Sequence, residues 1–339
     1  MTIAPLVAEG TASGKVILFG EHAVVYGVPG IAAGIEKGAR ASAAKLAGDP
    51  ASSLALSGKI HKTTDDSDLA RALRSLLEVE PACGPLSIEA HADVPPGGGL
   101  GCSAALGVAI ARAAERASLG EGALDERRVF ERGLAWERVF HGNPSGIDTA
   151  AAASGTFLWY ERGVGTRPLT APVDVWLAVG YSGASASTKV MVESIARIQE
   201  KNPQLHEKFL GGVRSIVENA RLALDAGDDR ALGQLMDMNQ MLLAGVLLST
   251  EAIEQMCGIA RAEGALGAKL TGSGGGGSVI ALGGMCPRAE RGSVAELLAE
   301  KIAAAWAAAG FTSFSTRVQG SHNPNLGKGH AESHPSRNL

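Results

Sequence analysis

At 339 residues, with 45% hydrophobic residues, the chain can build two packed cores and lacks the bias of a disordered polypeptide. A formal net charge of −4 and the absence of a Lys/Arg cluster exclude nucleic acid or an anionic membrane as the main partner. Four cysteines, Cys83, Cys102, Cys257 and Cys286, form no Cys-x-x-Cys pair, so buried thiols in a reducing compartment are expected rather than a disulfide framework or a zinc knuckle. No secretory leader pattern precedes the first strand-like stretch and no apolar run reaches the length of a membrane span, so the expected location is cytoplasmic.

In chain order, apolar runs bordered by glycine or proline predict strands at 16–19, 30–35, 39–46, 86–92, 155–160 and 173–179. Helical periodicity predicts helices at 68–78, 103–117 and 125–140. Strands come as neighbours before a helix interrupts them, which favours an α+β fold with a mixed sheet over a strict βαβ repeat. Beyond about residue 187 the pattern is helical. Phe209, Val213, Ile216, Ala220 and Leu224 share one helix face, and 230–248 and 251–263 continue the spacing. Strands at 268–271, 278–282 and 312–318, with a helix at 293–308, complete a second α+β domain. The predicted division is 1–183, 184–318 and a disordered tail at 319–339, with the boundary in the small-residue stretch 181–186.

The first chemical signal is Ser13-Gly14-Lys15-Val16-Ile17-Leu18-Phe19-Gly20-Glu21-His22. It sets a lysine at the start of a strand and an acid–histidine pair just past its end. Lys15 could supply a fixed positive charge beside a phosphoryl group, and Glu21 and His22 could bind polar parts of a substrate. A solvent-facing lysine and a plain Gly-Glu-His turn would look the same. Gly10 to Lys15 falls short of a Walker loop, having three residues between its glycines and Val16 after the lysine.

The most informative stretch is Pro95-Pro96-Gly97-Gly98-Gly99-Leu100-Gly101-Cys102-Ser103-Ala104-Ala105, a glycine-rich turn running into an alanine-rich helix. Glycines permit positive φ and close approach to an anion, and the first helical turn offers unpaired N–H groups at the positive end of the dipole. Ser103, in that turn, has its hydroxyl available to a phosphate oxygen or a metal ion. Read alone, the loop is also compatible with a connection that only turns a corner.

Glu137 near the end of a predicted helix and Asp148 after the loop His141-Gly142-Asn143-Pro144-Ser145-Gly146-Ile147 form the third signal. Two carboxylates bracketing a tight loop can converge, one to hold Mg²⁺ and one to take a proton from a nucleophile. A surface Glu137 and an N-cap Asp148 are the structural alternative. Lastly, Lys269-Leu270-Thr271-Gly272-Ser273-Gly274-Gly275-Gly276-Gly277-Ser278 is flanked by strand-like residues. It therefore reads as strand, turn and strand rather than as a flexible linker.

Taken together in this order, the opening Gly-Lys-Val-Ile-Leu, the Pro-Pro-Gly-Gly-Gly-Leu-Gly-Cys-Ser-Ala-Ala segment and the late Lys-Leu-Thr-Gly-Ser-Gly-Gly-Gly-Gly run resemble the three motifs of the GHMP kinases. The segments Gly20–Gly27 and His141–Asp148 are most similar to the branch of that superfamily that phosphorylates mevalonate. The resemblance covers residues 8–318. It implies an S5-like N-terminal domain, a ferredoxin-like C-terminal domain and an active site between them, and is compatible with a homodimer.

The implied reaction is ATP- and Mg²⁺-dependent phosphorylation of the primary hydroxyl of mevalonate. The alternatives are another small alcohol, such as homoserine or a sugar, or an inactive ligand-sensing relative. Carried over residue by residue, the resemblance makes Asp148 the catalytic carboxylate and Lys15 its cationic partner. Pro96, Gly97, Gly98, Gly99, Leu100, Gly101, Cys102, Ser103 and Ala104 are implied around the nucleotide, with Ser103 and Glu137 as Mg²⁺ ligands. Glu21, His22, Ser145, Thr188, Gly272 and Ser273 are implied near the substrate. Cys102 stands where the family often has serine, and Thr149 where many members have asparagine. Beside a helix N-terminus, Cys102 is expected to have a lowered pKa.

Overall fold

The computed structural model describes residues 7–46, 51–120, 122, 124–184, 187–286 and 292–320. The expected disordered tail therefore lies outside the described residues except for Gln319 and Gly320. Both of these are held: Gln319 bridges Thr156, and the Gly320 N–H donates to Asp174 Oδ1 at 2.8 Å.

Strand β1 (Ala8–Phe19) lies antiparallel to β2 (Gly30–Lys45) from Ala8↔Ala43 to Phe19↔Ile31. The two strands predicted at 30–35 and 39–46 are thus one, because the intervening Gly38 continues the ladder opposite Ser13 rather than ending it. On the other edge of β2, β5 (Leu86–Ala92) pairs with one end and β6 (Phe157–Glu161) with the other. Short strands β3 (Ser53–Leu56), β4 (Lys59–Lys62) and β7 (Gly165–Pro168), absent from the predicted set, extend the sheet to seven strands.

Helix α1 (Asp68–Leu77) is capped by the Ser67 side chain, which accepts from the Ala70 N–H. The Asp125 side chain likewise opens α3 (Glu126–His141) by accepting from the Arg127 N–H. Between them in sequence, α2 (Cys102–Leu119) packs on β1 and β2, and its buried residues are rich in alanine. Small side chains let the backbones come close: a Cβ on Gly10 would sit 2.2 Å from the Ala109 carbonyl oxygen. Gly10 is therefore a packing residue, and the near-Walker spacing around it has no phosphate-binding meaning.

The second sheet has the order β11-β8-β10-β9, formed by β8 (Asp174–Tyr181), β9 (Ala268–Thr271), β10 (Ser278–Cys286) and β11 (Thr312–Val318), all antiparallel. Helices α5 (Thr188–Lys201), α6 (Pro203–Ala226), α7 (Asp229–Gly245) and α8 (Glu251–Ala262) fall between β8 and β9, and α9 (Val294–Ala308) between β10 and β11. Numbered within the sheet, the order is 4-1-3-2, the ferredoxin-like arrangement. The strand expected to close the first domain is β8, and it pairs with β10 and β11. Sheet membership therefore changes between β7 and β8, ahead of the boundary expected at 183/184. A buried apolar run announces a strand but not its partner.

The two sheets are stitched where the end of β1 meets β9 and the turn after it. The Ile17 N–H donates to Thr271 Oγ1 at 2.9 Å, and that hydroxyl donates back to the Ile17 carbonyl at 2.9 Å. Ser278 Oγ donates to the Gly98 carbonyl at 2.7 Å. At the far side, Arg317 of β11 reaches Glu36 of β2 with Nε at 2.9 Å. Among the described residues no helix is long and apolar enough to cross a membrane.

Replacing Thr271 by Val keeps the shape and removes both hydrogen bonds to Ile17. We expect a loss of about 1–3 kcal/mol of unfolding free energy, roughly 1 kcal/mol per bond plus the cost of leaving the Ile17 groups unpaired. Urea denaturation of the two proteins measures it.

Candidate active site

A register shift in β1 between Ser13 and Gly14 re-aims the strand just before Lys15. A Cβ on Gly14 would lie 2.6 Å from the Lys37 carbonyl, so the irregularity needs glycine. From there the Lys15 N–H donates to the Leu100 carbonyl at 2.9 Å, and Lys15 Nζ donates to the Gly99 carbonyl at 3.1 Å. The loop bends through Gly97, Gly99 and Gly101 at φ 77°, 74° and 71°, and Gly101 caps α2. A side chain at Gly101 would also strike Lys15 Cγ at 2.8 Å. Conformation and crowding thus both require glycine beside the lysine.

Lys15 Nζ also lies 3.2 Å from Asp148 Oδ1, with the lysine side chain buried and the aspartate 43% exposed. Helix α4 (Ile147–Ser154) begins at Gly146, which takes φ 82°, so Asp148 stands in the first turn and is not the N-cap. In the first turn of α2, Ser103 Oγ donates to Glu137 Oε1 of α3 and accepts from Trp136 Nε1 at 3.3 Å. His141 Nε2 is 3.6 Å from Glu137 Oε2. Burial pushes the Glu137 carboxyl above the usual carboxylate range, and Asp148 adds to this while Ser103, His141 and Lys15 oppose it.

A cleft of about 590 Å³ joins these groups to the second sheet. Lys15, Glu21, His22, residues 97–104, Glu137, Asp148, Thr188, Gly272 and Ser273 all line it. Pro96 and Ser145 do not. Ser145 instead accepts from the Ile147 N–H at 3.4 Å and helps to start α4. His22, held at φ 59°, bonds through Nε2 to the Ser273 carbonyl at 2.8 Å, and Thr188 Oγ1 is 3.5 Å from Ser273 Oγ. Burial lowers the His22 pKa, partly offset by that carbonyl.

Sequence reasoning missed three neighbours. Trp136 orients Ser103, and Thr271 ties the turn to β1. Lys269, fully buried, is ion-paired with Glu21. A lysine inside a four-residue apolar strand next to a glycine turn was the available signal for the last. The Cys102 expectation is corrected. Burial pushes its thiol up, and the nearby Glu137 charge raises it further.

A glycine cradle at a helix N-terminus, a lysine bridging it to a carboxylate, and a second carboxylate on a serine hydroxyl define a small-molecule phosphotransferase of two α+β domains. Residues 68–156 match the GHMP kinases N terminal domain and residues 220–308 the GHMP kinases C terminal domain. The chain belongs to the GHMP kinases, a family that uses ATP, and shares their two-domain fold. Among its relatives are the mevalonate kinases of Thermococcus onnurineus, 36% identical over 80% of this chain and 88% of that one, and Pyrococcus abyssi, 33% identical over 82% and 89%. The crystal structure of L. major mevalonate kinase in complex with R-mevalonate superposes with a TM-score of 0.79 at 29% identity, covering 94% of this chain and 98% of that one.

The raised thiol fixes a pH response. Less thiolate is present at a given pH, so Cys102 should react with iodoacetamide more slowly than a free cysteine at pH 7.5, accelerate through pH 9 and above, and be shielded by ATP. Peptide mapping of the alkylated protein checks this.

Proposed function

We propose that the chain transfers the γ-phosphoryl group of ATP to the primary hydroxyl of mevalonate, giving 5-phosphomevalonate and ADP. The observation that carries the reading is the Lys15–Asp148 pair, 3.2 Å apart, with the same lysine bonded to the loop at Gly99. One cation thereby touches both the phosphate cradle and the carboxylate, and the two reacting groups would meet beside it.

The glycine loop and the first turn of α2 receive the phosphates through backbone N–H groups. Asp148 accepts the proton of the attacking hydroxyl. As the oxygen–phosphorus bond forms and the bond to the bridging oxygen of ADP breaks, Lys15 lies where negative charge spreads over the phosphoryl oxygens. Positioning and charge stabilisation supply the acceleration in such a loose transition state.

Ser103 and Glu137 are suited to Mg²⁺, a hard cation that takes one or two protein oxygens and fills its shell with water and phosphate. The Glu137 carboxylate is 3% exposed and already meets the Ser103 hydroxyl, a pairing of oxygen donors beside the cradle. Among the described residues no cluster of three or more His, Cys, Asp or Glu could hold a metal unaided, so such a site would be shared with the nucleotide. Bound there, Mg²⁺ would neutralise charge on the β- and γ-oxygens. Glu21, His22, Thr188 and Ser273 line the cleft together with Gly272, which lies beside Gly99 of the glycine loop, and we assign this part to the acceptor alcohol.

ADP release with Mg-ATP and a panel of mevalonate, phosphomevalonate, homoserine and galactose tests the reading. Turnover should require mevalonate. Asp148→Asn keeps the shape and removes the base, so turnover should fall by about 10²–10⁴ with the fold intact. Near-wild-type turnover in that variant would remove Asp148 from the role.

A further inference from the structure

Trp136 and Glu137 are consecutive residues of α3, and both reach the Ser103 hydroxyl of α2. The indole Nε1 donates to Ser103 Oγ at 3.3 Å, and Ser103 Oγ donates to Glu137 Oε1. An indole N–H can only donate, so it occupies one of the two lone pairs of the serine oxygen, while the hydroxyl proton is committed to the carboxylate. One lone pair is left. Ser103 and Glu137 line the cleft whereas Trp136, 1% exposed, does not, so the indole holds the hydroxyl from the packed side. The ring has little room to turn away. Gly107 lies one helical turn beyond Ser103, and a Cβ there would stand 2.8 Å from Trp136 Cδ1 and 2.9 Å from its Cγ. Phe140, one turn further along α3, meets the indole with ring centroids 5.6 Å apart. Glycine at 107 is what lets the indole lie against α2 beside Ser103.

We infer that Trp136 is a positioning residue for the divalent cation that accompanies the nucleotide: its N–H fixes the Ser103 hydroxyl so that the remaining lone pair is offered to the cation. A serine hydroxyl held only by Glu137 could swing about that single bond, and part of the cation's affinity would be lost to ordering it. Held through its proton and through one lone pair, the hydroxyl is ordered before the cation arrives. The inference rests on the assignment of Ser103 and Glu137 to Mg²⁺.

Titration calorimetry with Mg-ATP, and with ATP in excess EDTA, separates the cation's contribution from the nucleotide's without any turnover. Ser103→Ala tests the cation assignment by itself, and should weaken Mg-ATP binding more than it weakens ATP in EDTA. Trp136→Phe keeps a buried ring and removes the N–H. We expect its Kd for Mg-ATP to rise about tenfold, with the Kd for ATP in EDTA and the KM for the alcohol each within about twofold of wild type. Combined with Ser103→Ala it should add nothing, because Trp136 acts only through Ser103. Should Trp136→Phe fail to fold, β-(3-benzothienyl)alanine placed at Trp136 by codon suppression keeps both fused rings, lacks the N–H and should give the same result. If Ser103→Ala shows no Mg²⁺-specific loss, the cation assignment fails and takes the inference with it. With that loss present, an unchanged Mg-ATP affinity in the folded Trp136 variant, equal losses for Mg-ATP and ATP in EDTA, or effects that multiply in the double variant would overturn the inference alone.

Discussion

Everything in this molecule depends on the seam where the last residues of β1 serve two sheets at once. On one side β1 is laddered to β2 along nearly its whole length. At its end, Ile17 turns both backbone groups toward the Thr271 hydroxyl. A backbone amide and carbonyl cannot be buried unpaired without a penalty of kcal/mol order, so the second sheet is held at one depth against the first. That depth brings Ser278 onto Gly98, His22 onto Ser273 and Lys269 onto Glu21. The cleft is what remains open beside those contacts.

The charges around the cleft follow from that constraint. Four side chains of opposite sign, Lys15 with Asp148 and Lys269 with Glu21, are held as two pairs. Glu137 is answered at close range by the indole-supported hydroxyl of Ser103 and by a nearby histidine, with Lys15 farther off. Its raised pKa reflects burial that disfavours the charge it would carry in the proposed role of holding a cation. Such charges are tolerated because packing elsewhere, including the contact of α2 with β1 and β2, stabilises the fold. Burial pushes Glu21 up and Lys269 down, each opposed by the partner's charge, so that pair too is held at a cost that only its geometry offsets.

Much of this was legible residue by residue. The glycine loop announced itself because positive φ and close approach to a side chain can be met only by glycine, and Gly97, Gly99 and Gly101 take those angles. The lysine, the serine and the two carboxylates stood in motifs whose chemistry required them near one another. Less visible were the interactions made by residues to which the motifs assigned no role. Thr271 and Lys269 lie in a four-residue strand whose pattern says only that it is buried. Trp136 reads as core, which it is, yet its indole N–H meets Ser103.

Local periodicity and turn chemistry, which act within a few residues, determined by themselves the main helices and longer strands, the two α+β halves and the glycine turn that opens α2. Tertiary structure alone decided which strand joined which sheet, as with β8, because pairing depends on an edge supplied more than ninety residues later. It also decided the protonation bias of Cys102. A helix N-terminus pulls a thiol's pKa down, but burial and the Glu137 carboxylate, thirty-five residues away in sequence, push it up. Desolvation and Coulomb terms depend on distance in space, and space is what the chain order does not record.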